Sequence, residues 1–261
     1  MSSKVNIKIP LFLLLLLFVF YILTSPVSKE NHHMFYSLYS LGIMASTIAL
    51  CLIFVIDFRV LKPKHWASAS IFGLLSTNTT IPLTNTGVAI GICTFFSYLA
   101  AVTLLDSSKH RIVMHTSFKC SDIMIDLTLI LLSSSIYIVF LLFVVGHGLE
   151  FQLSFSLIKN SLAPAVWEEI VFRMLLFSII VKLNNDEKVP IVIMLLIMVV
   201  PFVLVHEIDD AVRYGLFPNG LPIPMIITAT AFSLLAIKRN LLTAIGAHFF
   251  IGLIYRISYL E

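Results

Sequence analysis

Glu168, Glu169 and Arg173 stand close together in one apolar run, and His206 and His248 close or interrupt two later ones. Carboxylates, imidazoles and a guanidinium can take up a proton, return it and balance a developing charge, which is the equipment of general acid–base hydrolysis. Inside a bilayer each ionisable side chain costs about 2.5 to 3.5 kcal/mol at a helix centre on insertion scales, so those that remain are candidates for function. With Trp167 to Arg173 taken as helix, Glu169 and Arg173 are i,i+4 neighbours able to neutralise each other. Glu168 lies about 100° round from Glu169 and has no such partner in its own helix. An unpaired carboxylate in low-dielectric surroundings is suited to act as a general base.

The background against which these five residues stand out is the composition. Of 261 residues 59% are hydrophobic and only 12% charged, with a mean hydropathy of +1.02, whereas soluble domains are about half apolar and a quarter charged. The chain therefore reads as all-α, a polytopic integral membrane bundle of about eight transmembrane helices, or nine on the charge argument below. Apolar runs of spanning length, roughly 20 residues, fall near 9–24, 34–56, 84–105, 123–146, 162–182, 190–206, 222–237 and 241–259. The first has the length of a signal-peptide core, but Leu23-Thr24-Ser25-Pro26 is a poor cleavage site, so it reads as an uncut anchor. No polar stretch is long enough for a soluble domain, and no repeat suggests an inverted-repeat transporter. A net charge of +3, from 17 basic and 14 acidic residues, excludes the basic stripe of a nucleic-acid binder. Cys51, Cys93 and Cys120 are too few and too scattered for a disulfide framework or a C-x-x-C motif.

These runs must also bring the candidate residues together. Pro164 near a first turn and the apolar continuation to Ile180 predict the fifth helix. A short loop at 183–189 makes the sixth run its antiparallel neighbour, so Glu168 and His206 meet on one side, with Phe202 four residues before His206 on the same face. His248, about seven residues into the last run, is roughly 10 Å deep from the opposite side. The three can converge on one partly buried cavity, open to the loops after residues 146 and 206. A lone Glu–Arg pair is more often a structural clamp, and a lone intramembrane His a packing residue; two acids, an arginine and two histidines in three runs argue for a site. His32, His33, His65, His110, His115 and His147 lie in loops or at helix edges and receive no role, and Glu207, Asp209 and Asp210 read as a solvated loop able to attract a basic peptide.

Orientation stays open. With eight crossings the basic residues outside the helices divide 8 against 8, and a ninth crossing between Trp66 and Leu83 changes this to 12 against 4, which fits the positive-inside rule better. The Ser76-Thr77-Asn78-Thr79-Thr80 stretch argues against an ordinary spanning helix there.

Glu168-Glu169-x-x-x-Arg173, then Phe202-x-x-x-His206, then His248 shortly after Lys238-Arg239-Asn240, resemble the three ordered motifs of the CAAX prenyl protease and bacteriocin-processing (CPBP, or Abi) membrane proteins. The resemblance covers roughly 155–256 and divides the chain into accessory transmembrane helices over 1–150 and a catalytic-type core over 151–261. It implies a glutamate-dependent intramembrane endopeptidase: Glu168 activates water, His206 assists, Glu169 and Arg173 maintain the site, and His248 stabilises the oxyanion. One position departs, because Gly252 stands where the family prefers Asn or Asp, and loss of an oxyanion donor costs about 10² to 10³ in rate. The implied substrate is a hydrophobic or membrane-bound peptide, in bacteriocin self-immunity or peptide maturation, and the implied location is the cell membrane, as a multi-pass protein in the lipid bilayer. The alternative is a non-catalytic immunity or sensor-binding scaffold using the same cavity. No cofactor is expected; zinc held by Glu168, His206 and His248 is the remaining alternative, without an H-E-x-x-H motif to favour it.

Overall fold

The computed structural model describes residues 55–77, 85–106, 108, 119–140, 154–184, 189–214 and 223–258. The described chain is all-helical, in the order α1 (Pro63–Ser76), α2 (Asn85–Asp106), α3 (Cys120–Phe140), α4 (Phe155–Glu168), a π-helical segment (Glu169–Leu175), α5 (Leu176–Leu183), α6 (Ile191–Tyr214), α7 (Ile223–Lys238) and α8 (Leu241–Ser258). The expected runs at 9–24 and, apart from its last two residues, at 34–56 lie outside the described residues.

Local chemistry sets several of the ends. Pro63 opens α1, where its missing N–H costs nothing. Ser154 caps α4 by accepting the Leu157 N–H at 3.1 Å. Asn240 caps α8, its Oδ1 accepting both the backbone N–H and the hydroxyl of Thr243 at 2.8 and 2.9 Å. The turn before α8 is pinned to α3: Arg239 donates to Asp126 and Asp122, and Asn240 Nδ2 donates to Asp126 Oδ2 at 3.1 Å. Groups that would be costly in an apolar layer thus neutralise one another at a helix end.

Two helices, over Gly87–Asp106 and Cys120–Val139, are long and apolar enough to cross a membrane by length and composition, and Ile191–Val203, Ile223–Lys238 and Leu241–Tyr255 are shorter apolar stretches. The 14 residues of α1 reach only about 21 Å, short of the roughly 30 Å hydrocarbon layer, and residues 78–83 of the expected ninth crossing lie outside the described residues.

Three boundaries differ from expectation. The fifth run begins at Phe155 rather than near 162, because Ser154 supplies the cap, and Pro164 is therefore interior to α4. What was expected as one regular helix from Trp167 onward changes to π-helical hydrogen bonding over Glu169–Leu175 before α5 resumes. The sixth run does not stop at His206: α6 continues to Tyr214, so Glu207, Asp209 and Asp210 belong to a helix and not to a loop.

Packing centres on the π segment, which contacts α2, α6, α7 and α8. Six of its seven residues are buried, as befits a helix enclosed on all sides. Around it α2 lies against α1 and α5, α6 against α7, and α8 against α3, α4 and α7. The main core joins Leu99, Ala100, Val166, Ile170, Met174 and Met198, and a smaller cluster of Phe172, Val199, Phe202, Val203 and Ala229 lies beside the site.

Candidate active site

Glu168 ends α4 and Glu169 opens the π segment, so the two adjacent acids leave the helix axis in different directions. Glu169 and Arg173 are both fully buried, with Arg173 Nη1 3.3 Å from Glu169 Oε1. The same carboxylate oxygen accepts a hydrogen bond from His248 Nδ1 at 2.9 Å, tying α8 to the π segment. Among the described residues the guanidinium has no hydrogen-bond acceptor in good geometry; it is covered instead by the ring of Phe202, whose centroid is 4.2 Å from Cζ, and by that of Phe232 at 5.7 Å. Both distances are within the range of cation–π attraction.

Glu168 faces the two imidazoles. Its Oε2 is 3.7 Å from His206 Nε2 and 3.6 Å from His248 Nε2. The tautomers follow from what lies on the other side of each ring. His206 Nδ1 is 2.8 Å from the Phe202 carbonyl oxygen, which can only accept, so Nδ1 carries hydrogen. His248 Nδ1 likewise donates to the Glu169 carboxylate. Each neutral ring therefore presents an Nε2 lone pair toward Glu168 Oε2. His206 is the most open member, with about a third of its side chain exposed, against 8% for Glu168.

Aromatic rings fix the planes of both histidines. Phe202 lies 4.4 Å from His206 and presents an edge-on contact to His248 at 6.0 Å. Phe232 stacks on His248 at 4.7 Å with only 15° between planes. Phe172, edge-on to Phe202 at 5.6 Å, and Trp167 at 5.9 Å from Phe172 extend the cluster outward. The structure thus brings Glu168, Glu169, Arg173, Phe202, His206 and His248 into one place and adds Phe232, which sequence reasoning passed over. The signal for Phe232 was an aromatic residue on a stripe of small ones: Ala229, Phe232, Ser233 and Ala236 are the buried residues of α7.

Gly252 is one turn beyond His248, where an added Cβ would be 3.8 Å from Ser161 Cβ of α4, an ordinary contact. Ser161 Oγ donates to its own helix at Leu157 O, 3.0 Å away. The space beside Gly252 is thus bounded by α4 two turns before Glu168. Among the described residues no group of three or more His, Cys, Asp or Glu side chains is found that could hold a metal ion.

The model of a family described as type II CAAX prenyl endopeptidase Rce1-like matches residues 133–254, a range that contains every residue of the site. No curated protein and no solved structure matches.

Proposed function

We propose that this protein is a glutamate-dependent intramembrane endopeptidase acting on a hydrophobic or membrane-associated peptide, since residues 133–254 match the model of the Rce1-like type II CAAX prenyl endopeptidases, a family of membrane-embedded proteases. The observation that carries this reading is the convergence of two imidazole Nε2 atoms on one buried carboxylate oxygen at 3.6 and 3.7 Å. Separations just beyond hydrogen-bond reach suit a bridging water. Glu168 removes a proton from that water as its oxygen attacks the scissile carbonyl carbon, and His206 orients it. When the tetrahedral intermediate collapses, the proton held by Glu168 passes to the leaving amine, restoring the carboxylate. His248 faces the developing oxyanion. Because its Nδ1 is committed to Glu169, it donates through Nε2 only when the ring carries both protons, and Glu169 is the countercharge beside it. Arg173, 3.3 Å from the same carboxylate, holds Glu169 in place.

The apolar cluster beside the site favours a hydrophobic chain entering from the bilayer. Bacteriocin self-immunity or maturation of an exported peptide is the proposed context, and a multi-pass location in the cell membrane the proposed setting. The chemistry proposed requires no metal. Gly252 favours a second reading, a non-catalytic immunity or sensor-binding scaffold, since it supplies no donor next to His248.

The full-length protein in lipid nanodiscs, given internally quenched peptides, separates these readings. One peptide should end in farnesylated Cys followed by two aliphatic residues and a variable one; the other should be an unprenylated apolar segment. Cleavage of either should persist in chelator and fall by about 10² to 10⁴ in Glu168→Gln. Wild-type rates in Glu168→Gln would remove the proposed base, and loss of activity in chelator with recovery on adding Zn²⁺ would favour the metal alternative.

A further inference from the structure

We propose that Phe232 is a positioning residue for His248 and Arg173, and so a member of the site contributed by α7, a helix that carries none of its charged groups. The catalytic part of this statement rests on the function proposed above; the geometric part does not.

The His248 ring is held by one hydrogen bond, Nδ1 to Glu169 Oε1 at 2.9 Å. That bond restrains the ring at one atom, and small turns about the Cα–Cβ and Cβ–Cγ bonds would carry Nε2 away from Glu168. Phe232 removes that freedom by lying flat against the imidazole at 4.7 Å and 15°, within the range of favourable ring stacking. The same ring lies 5.7 Å from the Arg173 guanidinium carbon, while Phe202 covers Arg173 at 4.2 Å. Phe232 therefore touches both groups that flank Glu169.

The composition of α7 points the same way. Its other buried residues are Ala229, Ser233 and Ala236, which let this helix approach the π segment and α8 closely and leave Phe232 as the one large side chain of α7 in the buried class. Phe232 itself is 2% exposed. A residue filling space alone would need only volume, whereas a flat aromatic face in register with an imidazole and near a guanidinium fixes orientation.

The test uses full-length protein in nanodiscs carrying Phe232→Leu, Phe232→Tyr or, as a control for loss of a buried ring elsewhere, Phe72→Leu in α1. Two readouts are taken on the folded fraction. The first is the ring-proton NMR shift of His248, assigned with His248→Gln. Ring-current displacement upfield should be present in the wild type, Phe232→Tyr and Phe72→Leu, and absent in Phe232→Leu. The second is cleavage of the quenched peptide, where Phe232→Leu should lower kcat by about 10²-fold, as for an ångström-scale misplacement, with KM unchanged and recovery in Phe232→Tyr. If Phe232→Leu does not fold, Phe232→Met, which fills irregular space without a ring, replaces it. An unmoved His248 shift in the ringless variant overturns the proposal, and so does a kcat loss no larger than that of Phe72→Leu. If Glu168→Gln cleaves as fast as wild type, the proposed function fails while the NMR shift still decides whether Phe232 lies on the His248 ring.

Discussion

Neutralising Glu169 by Glu169→Gln strands Arg173, and the size of the effect can be worked from the site. Both side chains are fully buried with 3.3 Å between Nη1 and Oε1. Two unit charges at that separation attract by about 5 kcal/mol at an effective dielectric of 20. Glu168 is the only other carboxylate among the described residues that acts on the guanidinium, and it acts more weakly than Glu169; among these residues the guanidinium has no hydrogen bond to fall back on, so the single variant should lose about 3 to 5 kcal/mol, the usual cost of leaving one member of a buried pair alone. Arg173→Met should lose less, because Glu169 keeps its hydrogen bond from His248 and the thioether can rest on the Phe202 and Phe232 rings. Combining Glu169→Gln with Arg173→Met removes both charges and should return the protein to within about 1 kcal/mol of wild type, although peptide cleavage stays low because His248 has lost its ionised partner. The assay is reversible unfolding of the full-length protein in mixed micelles, followed by fluorescence of the chain's 2 tryptophans, one of which, Trp167, is a near neighbour of Glu169. Losses that simply add in the double variant would show that the two charges do not depend on each other and would refute this account of the site.

Other substitutions have equally definite signs. Glu168→Gln removes a buried charge whose Oε2 has no protein donor, so it should leave stability equal or higher by thermal unfolding even as cleavage falls, the usual exchange of stability for function. Gly252→Ala should stabilise by about 0.5 to 1 kcal/mol, the ordinary gain for a helix interior, because its Cβ meets Ser161 at a normal 3.8 Å. Gly91→Ala should destabilise in the same assay, because its Cβ would lie 2.8 Å from the backbone oxygen of Gly73 on α1 and also overlap the Thr77 methyl. Asp126→Ala unties Arg239 and Asn240 from α3 and should cost about 1.5 to 3 kcal/mol, the range for hydrogen bonds to charged groups; a loss below about 0.5 kcal/mol would mean that Asp122 alone holds the turn.

The site was more legible in the sequence than the fold around it, for a physical reason. In a chain with so few charges, an ionisable residue in an apolar run marks itself, and i,i+4 spacing is enough to bring Glu169 to Arg173. The limits of α2, α7 and α8 could also be read to within a few residues, because Asp106, Lys238 and Asn240 interrupt the apolar runs. Apolar composition could not show where α4 begins, since Phe155 to Leu162 mixes polar and apolar residues and the deciding group is one serine hydroxyl. Nor could it show that α6 continues through Glu207, because hydropathy falls there while the helix does not. Phe232 was invisible because an aromatic residue in an apolar run carries no contrast; only the small residues spaced around it gave a sign.

The π-helical segment explains how two adjacent acids serve different neighbours. Moving from i+4 to i+5 bonding adds in effect one residue to the turn, about 100° of extra rotation between the helix before it and the helix after it. On α4 the buried face toward α8 includes Ser161, against which Gly252 rests, and Glu168 continues that face toward His248 and His206. Beyond it Glu169, Ile170, Phe172, Arg173, Met174 and Leu175 are all enclosed, because α2, α6, α7 and α8 pack around the segment. That enclosure is what a fully buried Glu–Arg pair requires, since any lipid-facing position would expose it to hydrocarbon. It also leaves Glu168 at the junction, supported by the regular helix on one side and free of the pair on the other. π segments are recurrent at functional sites. Here the reason is specific: a single irregular turn lets one carboxylate be neutralised in the core while its neighbour in sequence remains available at the edge of the cavity.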